Sequence, residues 1–190
     1  MSNYPPRTIR ALEQLRLVSG LEGDIIECGV FQGCTTVAMA LYLKRNKIDK
    51  KIYACDTYGG LPYDGNHIDP MLKKGECTAS FAVFWKNVVE AGVEDYIIPV
   101  KGLVEDTLPK ELAGHKFCFA FLDLDLYEPT SFVARFLTNR IVIGGVMGFH
   151  DYKFGRCPGI EIVVDQELDR QKYHMYGDHH GNCAWLQRRR

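Results

Sequence analysis

Four short stretches of this 190-residue chain hold residue types that do chemistry. They are Glu27-Cys28-Gly29-Val30-Phe31-Gln32-Gly33, Asp56, Asp123-Leu124-Asp125 and His150-Asp151. Two carboxylates at i and i+2 point the same way if a strand persists through them, so Asp123 and Asp125 can converge on one ligand. Such a pair serves as ligands for a hard cation or as a general base; either aspartate alone could instead cap the helix that follows. His150-Asp151 adds another carboxylate and an imidazole, whose ordinary pKa of about 6.5 lies near neutral pH. Gly29 and Gly33 suit a backbone that turns sharply and lets a ligand come close.

These stretches need elements to position them, and the hydrophobic pattern supplies a consistent set. Short apolar runs alternate with amphipathic stretches, the pattern of a mostly parallel sheet flanked by helices. Strands are predicted at 24–28, 51–55, 96–100, 117–122, 141–149, 172–176 and 182–187, the closing pair forming an antiparallel edge. Helices are predicted at about 7–20, 35–44 and 81–91, after Pro129-Thr130, and at about 158–168. The fold class is therefore α/β and Rossmann-like, a seven-stranded sheet with helices on both faces, in one domain over residues 1–190. Residues 57–80 fit no regular element, with Gly59, Gly60, Pro62, Gly65, Pro70 and Gly75. A loop of that length in a compact domain is usually functional. It is a candidate lid and substrate-recognition loop, with Tyr58, Tyr63, His67 and Asp69 as its polar contacts.

In open α/β sheets, ligands bind beyond the carboxyl ends of the strands. Glu27, Asp56, Asp123, Asp125, His150 and Asp151 all fall there. The turn at Gly29 and Gly33 has G-x-x-x-G spacing, not the G-x-G-x-x-G of nicotinamide cofactor sites. A dinucleotide also needs helix N–H groups aimed at a pyrophosphate, and Glu27 would repel one. Glu27 suits an amino-bearing ligand, and Asp56 stands where a carboxylate can accept both hydroxyls of a ribose. An acidic first turn with an acidic second strand end describes S-adenosylmethionine better than NAD.

Composition narrows the classes further. Apolar residues make up 46% and charged residues 25%, with a formal net charge of -1. No global basic field recruits nucleic acid, and the dense basic run is confined to Arg188-Arg189-Arg190. No apolar stretch reaches the roughly 18–20 residues that span a bilayer, and the N-terminus has no apolar signal core. The expectation is therefore a cytoplasmic protein with a small-molecule partner, neither nucleic acid nor membrane, for which a homo-oligomer is compatible. The seven cysteines form no C-x-x-C pair, which fits a reducing compartment and not a structural zinc site.

Taken in order, five blocks resemble the TylF-like macrocin O-methyltransferase family. They are Ile25–Gly33, Asp56-Thr57-Tyr58-Gly59-Gly60-Leu61-Pro62, Gly102–Pro109, Leu122–Thr130 and Gly144–Tyr152. The resemblance implies a class I methyltransferase that uses S-adenosylmethionine, often with magnesium, to methylate a hydroxyl of a sugar or other natural product. By position it assigns Glu27, Gly29 and Asp56 to the amino acid and ribose parts of the cofactor, and Gly102 and Leu103 to the adenine. Gly33, Thr35, Thr57 and Asp123 join the cofactor-binding set. Asp123 would also be the first metal ligand and Asp125 the general base. Where the family has two consecutive aspartates, this chain has His150-Asp151. Imidazole suits manganese, iron or zinc better than magnesium. His150 is thus a nitrogen ligand, with Asp123 and Asp151, in a retuned metal site, or it is the base of a metal-independent enzyme. A non-catalytic module that keeps the cofactor pocket is the alternative from another class.

Overall fold

A computed structural model describes residues 4–178 and 182–190; the first three residues of the N-terminal segment lie outside it. Its helices are α1 (Pro6–Val18), α2 (Cys34–Asn46), α3 (Phe81–Ala91), α4 (Val104–Glu111), α5 (Tyr127–Leu137) and α6 (Pro158–Ile162). The strands are β1 (Asp24–Cys28), β2 (Ile52–Asp56), β3 (Ile97–Lys101), β4 (Phe117–Leu122), β5 (Ile141–Phe149), β6 (Tyr173–Asp178) and β7 (Cys183–Arg188). They form one seven-stranded sheet in the order β3-β2-β1-β4-β5-β7-β6. β1 to β5 are parallel, and β7 runs antiparallel to both of its neighbours. The closing pair forms the expected antiparallel edge; its last strand inserts between β5 and β6, so β6 at the margin runs with the rest.

Alternating side chains of the central strands feed two cores. Phe119 and Phe121 face the side where α1, α2 and α3 pack, while Ala120 and Leu122 face α4, α5 and α6. The alternation is that of a strand buried on both faces. It also turns Glu27, in phase with Ile25, toward α2. Among the described residues no helix is long and apolar enough to cross a membrane.

Three local features differ from expectation. Helix α4 was not foreseen, because Pro109 lies inside it; Val104, Thr107 and Leu108 nevertheless carry a buried i, i+3, i+4 stripe. Helix α5 starts before Pro129, not after Pro129-Thr130. A proline in the first turn removes only an N–H that has no partner within the helix. Beyond α6 the chain loosens into one π-helical stretch, Val163–Glu167, in place of a continuous helix.

Segment 57–80 holds no regular element, yet it is packed. Tyr58, Leu61, Leu72 and Ala79 are buried, and Asp69 is fully so. Asp69 Oδ2 accepts from Tyr127 N at 2.7 Å, and its Oδ1 accepts from Gly159 N at 2.9 Å. One loop carboxylate thus satisfies amide donors in the first turns of α5 and α6. Arg156 pairs with Glu76, and Asn66 donates to Glu128, fastening the loop at two further points.

Candidate active site

The chain runs outward from β1 to β3 and then crosses back to β4, so β1 and β4 are the neighbours at which strand order reverses. Ligands of such sheets bind in the crevice at that switch point. Backbone bonds continue the strand alignment just past the ends: Gly29 N to Cys55 O at 2.9 Å, Asp123 N to Cys28 O at 2.8 Å, and His150 N to Leu122 O at 2.9 Å. Gly29 has φ +87°, and a Cβ there would collide with the Asp123 carbonyl. The glycine is thus required by both conformation and contact. Four non-glycine residues beyond strand ends also have left-handed backbones: Phe31 (φ 52°), Tyr58 (53°), Asp125 (62°) and Asp151 (59°). Such conformations are uncommon for side chains and concentrate at functional sites.

Above the crevice lies a cavity of about 320 Å³. Of the residues singled out in the sequence, Gly29, Asp56, Thr57, Gly102, Leu103, Asp123, Asp125, His150 and Asp151 line it. Glu27, Gly33 and Thr35 do not. Gly33 forms the left-handed N-cap of α2. Thr35 is turned away from the cavity, and its hydroxyl meets that of Thr8 at 2.7 Å between α1 and α2. Glu27 lies beneath the turn, where Thr36 donates to its carboxylate. Burial pushes the Glu27 carboxyl up to about 8, against the lowering effect of that hydrogen bond.

Asp56 has a second task besides facing the cavity. Its Oδ2 accepts from Val30 N at 2.7 Å and Phe31 N at 2.9 Å, and its Oδ1 from Tyr58 N at 2.7 Å. About one of its four acceptor sites then remains open. Neither Asp123 nor Asp125 caps α5; Leu126 holds that position, and Asp69 serves the helix end. β4 ends at Leu122, so the left-handed turn at Asp125, not a persisting strand, brings both carboxylates to one wall.

His150 Nδ1 lies 2.8 Å from Asp123 Oδ1 and 3.1 Å from Asp151 Oδ1. Burial alone would lower its pKa, but hydrogen bonds to the two carboxylates, and their charges, raise it to about 10. Asp125 is pushed up to about 7, by burial first and then by the charges of Asp123 and Asp151. Cys157 Sγ lies 3.8 Å from Asp151 Oδ2, and Arg7 Nε lies 3.4 Å from Asp123 Oδ2.

Several wall residues escaped the sequence reading. Arg7, Leu72, Cys77, Phe154, Arg156 and Cys157 come from segments without a motif, and Glu105 from within the Gly102–Pro109 block. Arg7 alone left a signal, a cation in the first turn of a helix with no acidic residue there. Conversely, Tyr58, Tyr63, His67 and Asp69 stay off the cavity wall. Tyr58 turns inward, stacking on Phe84 and donating to Ala54 O at 3.0 Å. The loop's contribution is Thr57, Gly60, Leu61, Pro62, Leu72 and Cys77.

The family model described as Macrocin-O-methyltransferase (TylF) matches residues 8–172, from α1 to the residue before β6. The chain belongs to this family. A curated relative, the 8-demethyl-8-(2,3-dimethoxy-alpha-L-rhamnosyl)-tetracenomycin-C 4'-O-methyltransferase of Streptomyces olivaceus, is 28% identical over 151 residues. That match takes in 74% of this chain and 57% of the relative, so the chain spans less than two thirds of the relative's length. Among solved structures, the O-methyltransferase NovP superposes with a TM-score of 0.85 at 23% identity, over 97% of this chain and 80% of its own. The calicheamicin methyltransferase CalS11 does so with a TM-score of 0.81 at 24% identity, over 95% and 78%. The TylF-family chain thus has the class I Rossmann-like methyltransferase fold.

Proposed function

We propose that this chain transfers a methyl group from S-adenosylmethionine to a hydroxyl oxygen of a sugar or other natural-product molecule, assisted by a divalent cation. One observation carries the proposal: a single cavity at the β1–β4 crevice joins Gly29, Asp56, Gly102 and Leu103 to the cluster Asp123, Asp125, His150 and Asp151. The first group suits an adenosine ligand and the second an acceptor oxygen. Family membership and the sugar acceptor named for the tetracenomycin relative support the reaction class. Seven free cysteines, four of them buried in strands, support a reducing, cytoplasmic setting.

When bound, the cofactor supplies an electrophilic methyl group on a sulfonium, so the protein's work is alignment and removal of a proton. Gly29 and Asp56 shape the cofactor side, Asp56 by holding the amides of Val30 and Phe31. Leu61, Leu72, Val104 and Pro129 furnish apolar wall that excludes water. Asp125 faces the cavity and takes the acceptor's proton. His150 is less suited to that task, because its Nδ1 is already engaged by two carboxylates.

A divalent cation fits the donors present if it replaces the proton that His150 shares with Asp123 and Asp151. One atom from each of Asp123, His150 and Asp151 lies within 4.8 Å of the others. These three would hold the ion, and a cation there would lower the pKa of an acceptor hydroxyl and fix its oxygen. Their mixed nitrogen and oxygen set favours manganese, iron or zinc over magnesium.

Calorimetric titration with S-adenosylhomocysteine and with NAD tests the cofactor, with saturable binding expected for the first alone. Turnover is tested with methyl-labelled S-adenosylmethionine and a panel of glycosylated acceptors, with and without chelator. Asp125→Asn should abolish transfer while leaving homocysteine-nucleoside affinity within about twofold. Absence of binding at millimolar ligand, or preference for NAD, overturns the proposal.

A further inference from the structure

We infer that Arg7 is the receptor for the α-carboxylate of the cofactor, and that binding draws its guanidinium from Asp123 to that carboxylate. This rests on the cofactor reading above, and it gives a task to a helix that lies outside every motif.

The cavity wall is crowded with negative charge. Asp56, Glu105, Asp123, Asp125 and Asp151 all contribute to it. An amino acid carboxylate entering such a site needs a cation to receive it. The cationic side chains on the wall are Arg7, Arg156 and His150. Arg156 is committed to Glu76 of the loop, and His150 to Asp123 and Asp151. Arg7 is held more loosely. Its ion pair is a contact through Nε, 3.4 Å from Asp123 Oδ2, and its side chain is 33% exposed. Strong ion pairs of this kind close to about 2.7–2.9 Å and are often two-pronged. The terminal nitrogens of the planar guanidinium therefore remain available for a carboxylate, which it matches as a fork.

Location agrees with the assignment. Arg7 reaches Asp123, and the Asp123 carbonyl is the group that abuts Gly29 at the cofactor turn. Arg7 is also among the charges felt by Glu27 beneath that turn, where it favours the ionised carboxylate. That end of the cavity thus offers a cation for a carboxylate, while Glu27 stays buried beneath the turn. The placement also runs against local preference. Arg7 is the second residue of α1, whose first turn contains no acidic residue. A cation at a helix N-terminus opposes the helix dipole, so the helix gains nothing from having it there.

The test compares two ligands that share adenosine and a thioether: S-adenosylhomocysteine, and 5′-methylthioadenosine, which lacks the amino acid. Each is titrated calorimetrically into the full chain and into Arg7→Gln and Arg7→Lys variants whose folding is checked by thermal melting. Arg7→Gln should weaken S-adenosylhomocysteine about 10- to 100-fold, the range for loss of a charged hydrogen bond. Methylthioadenosine should stay within about twofold. Arg7→Lys keeps the charge without the fork and should fall between, which preserves the comparison if the glutamine variant does not fold. Equal losses for the two ligands, or no loss for S-adenosylhomocysteine, would overturn the inference and leave the cofactor reading intact. Failure of the unaltered protein to bind either ligand would overturn both.

Discussion

Replacing Asp69 tests whether one loop carboxylate organises the floor and cover of the site together. Asp69 is fully buried and accepts from Tyr127 N at 2.7 Å and Gly159 N at 2.9 Å. In Asp69→Asn one oxygen remains as an acceptor, while the amide NH2 faces the other buried N–H. A charge-assisted hydrogen bond contributes about 1.5–3 kcal/mol, and a negative charge near each helix N-terminus adds about 0.3–1 kcal/mol. The sum for Asp69→Asn is roughly 2–5 kcal/mol. For a chain of this size, each kcal/mol moves Tm by about 2–4 °C, so the melting temperature should drop by roughly 4–20 °C. Urea unfolding should show the loss as a lower midpoint with an unchanged slope. Limited proteolysis adds a local readout, since cleavage within 57–80 should rise in the variant if Asp69 fastens the loop. A variant that melts within about 1 °C of the parent, with unchanged cleavage, would refute the assignment of this carboxylate as a double helix anchor.

Two further predictions address residues whose placement differs from a simple motif reading. Glu27 is pushed up from 4.5 to about 8. Its folded form therefore holds a proton that the unfolded chain releases earlier, and stability falls as pH rises from about 4.5 to about 8. Glu27→Gln keeps an acceptor for Thr36 but removes this slope. It should match the parent at pH 5 within about 1 kcal/mol and exceed it by roughly 2–4 kcal/mol at pH 8.5. Parallel pH curves from urea unfolding of ligand-free protein would exclude this. Thr35→Val should cost about 1 kcal/mol by stranding the buried Thr8 hydroxyl. Its affinity for S-adenosylhomocysteine should be unchanged, and a loss in calorimetry would return Thr35 to the cofactor wall.

Much of this protein was written in local pattern. Apolar runs at Ile25-Ile26 and Phe117–Leu122 specify strands buried on both faces, because each position alternates between two helical layers. Gly29 was legible because its turn tolerates no Cβ, and Asp123, Asp125, His150 and Asp151 because parallel strands deliver their carboxyl ends to one side. That constraint operates at short range and leaves its mark in spacing.

Tertiary structure decided the rest, where a side chain's role depends on a partner far along the chain. Asp69 became an anchor only when α5 and α6 placed their amides 58 and 90 residues away in sequence against it. Thr35 stands off the cavity because the helical phase of α2 turns it toward Thr8, and Glu27 lies below the turn because strand phase points it at Thr36. Arg7 reached the cavity through the packing of α1 beside α2 and β4. No local pattern encodes such pairings, since burial and charge neighbours are set by how elements pack and not by the order of residues within them.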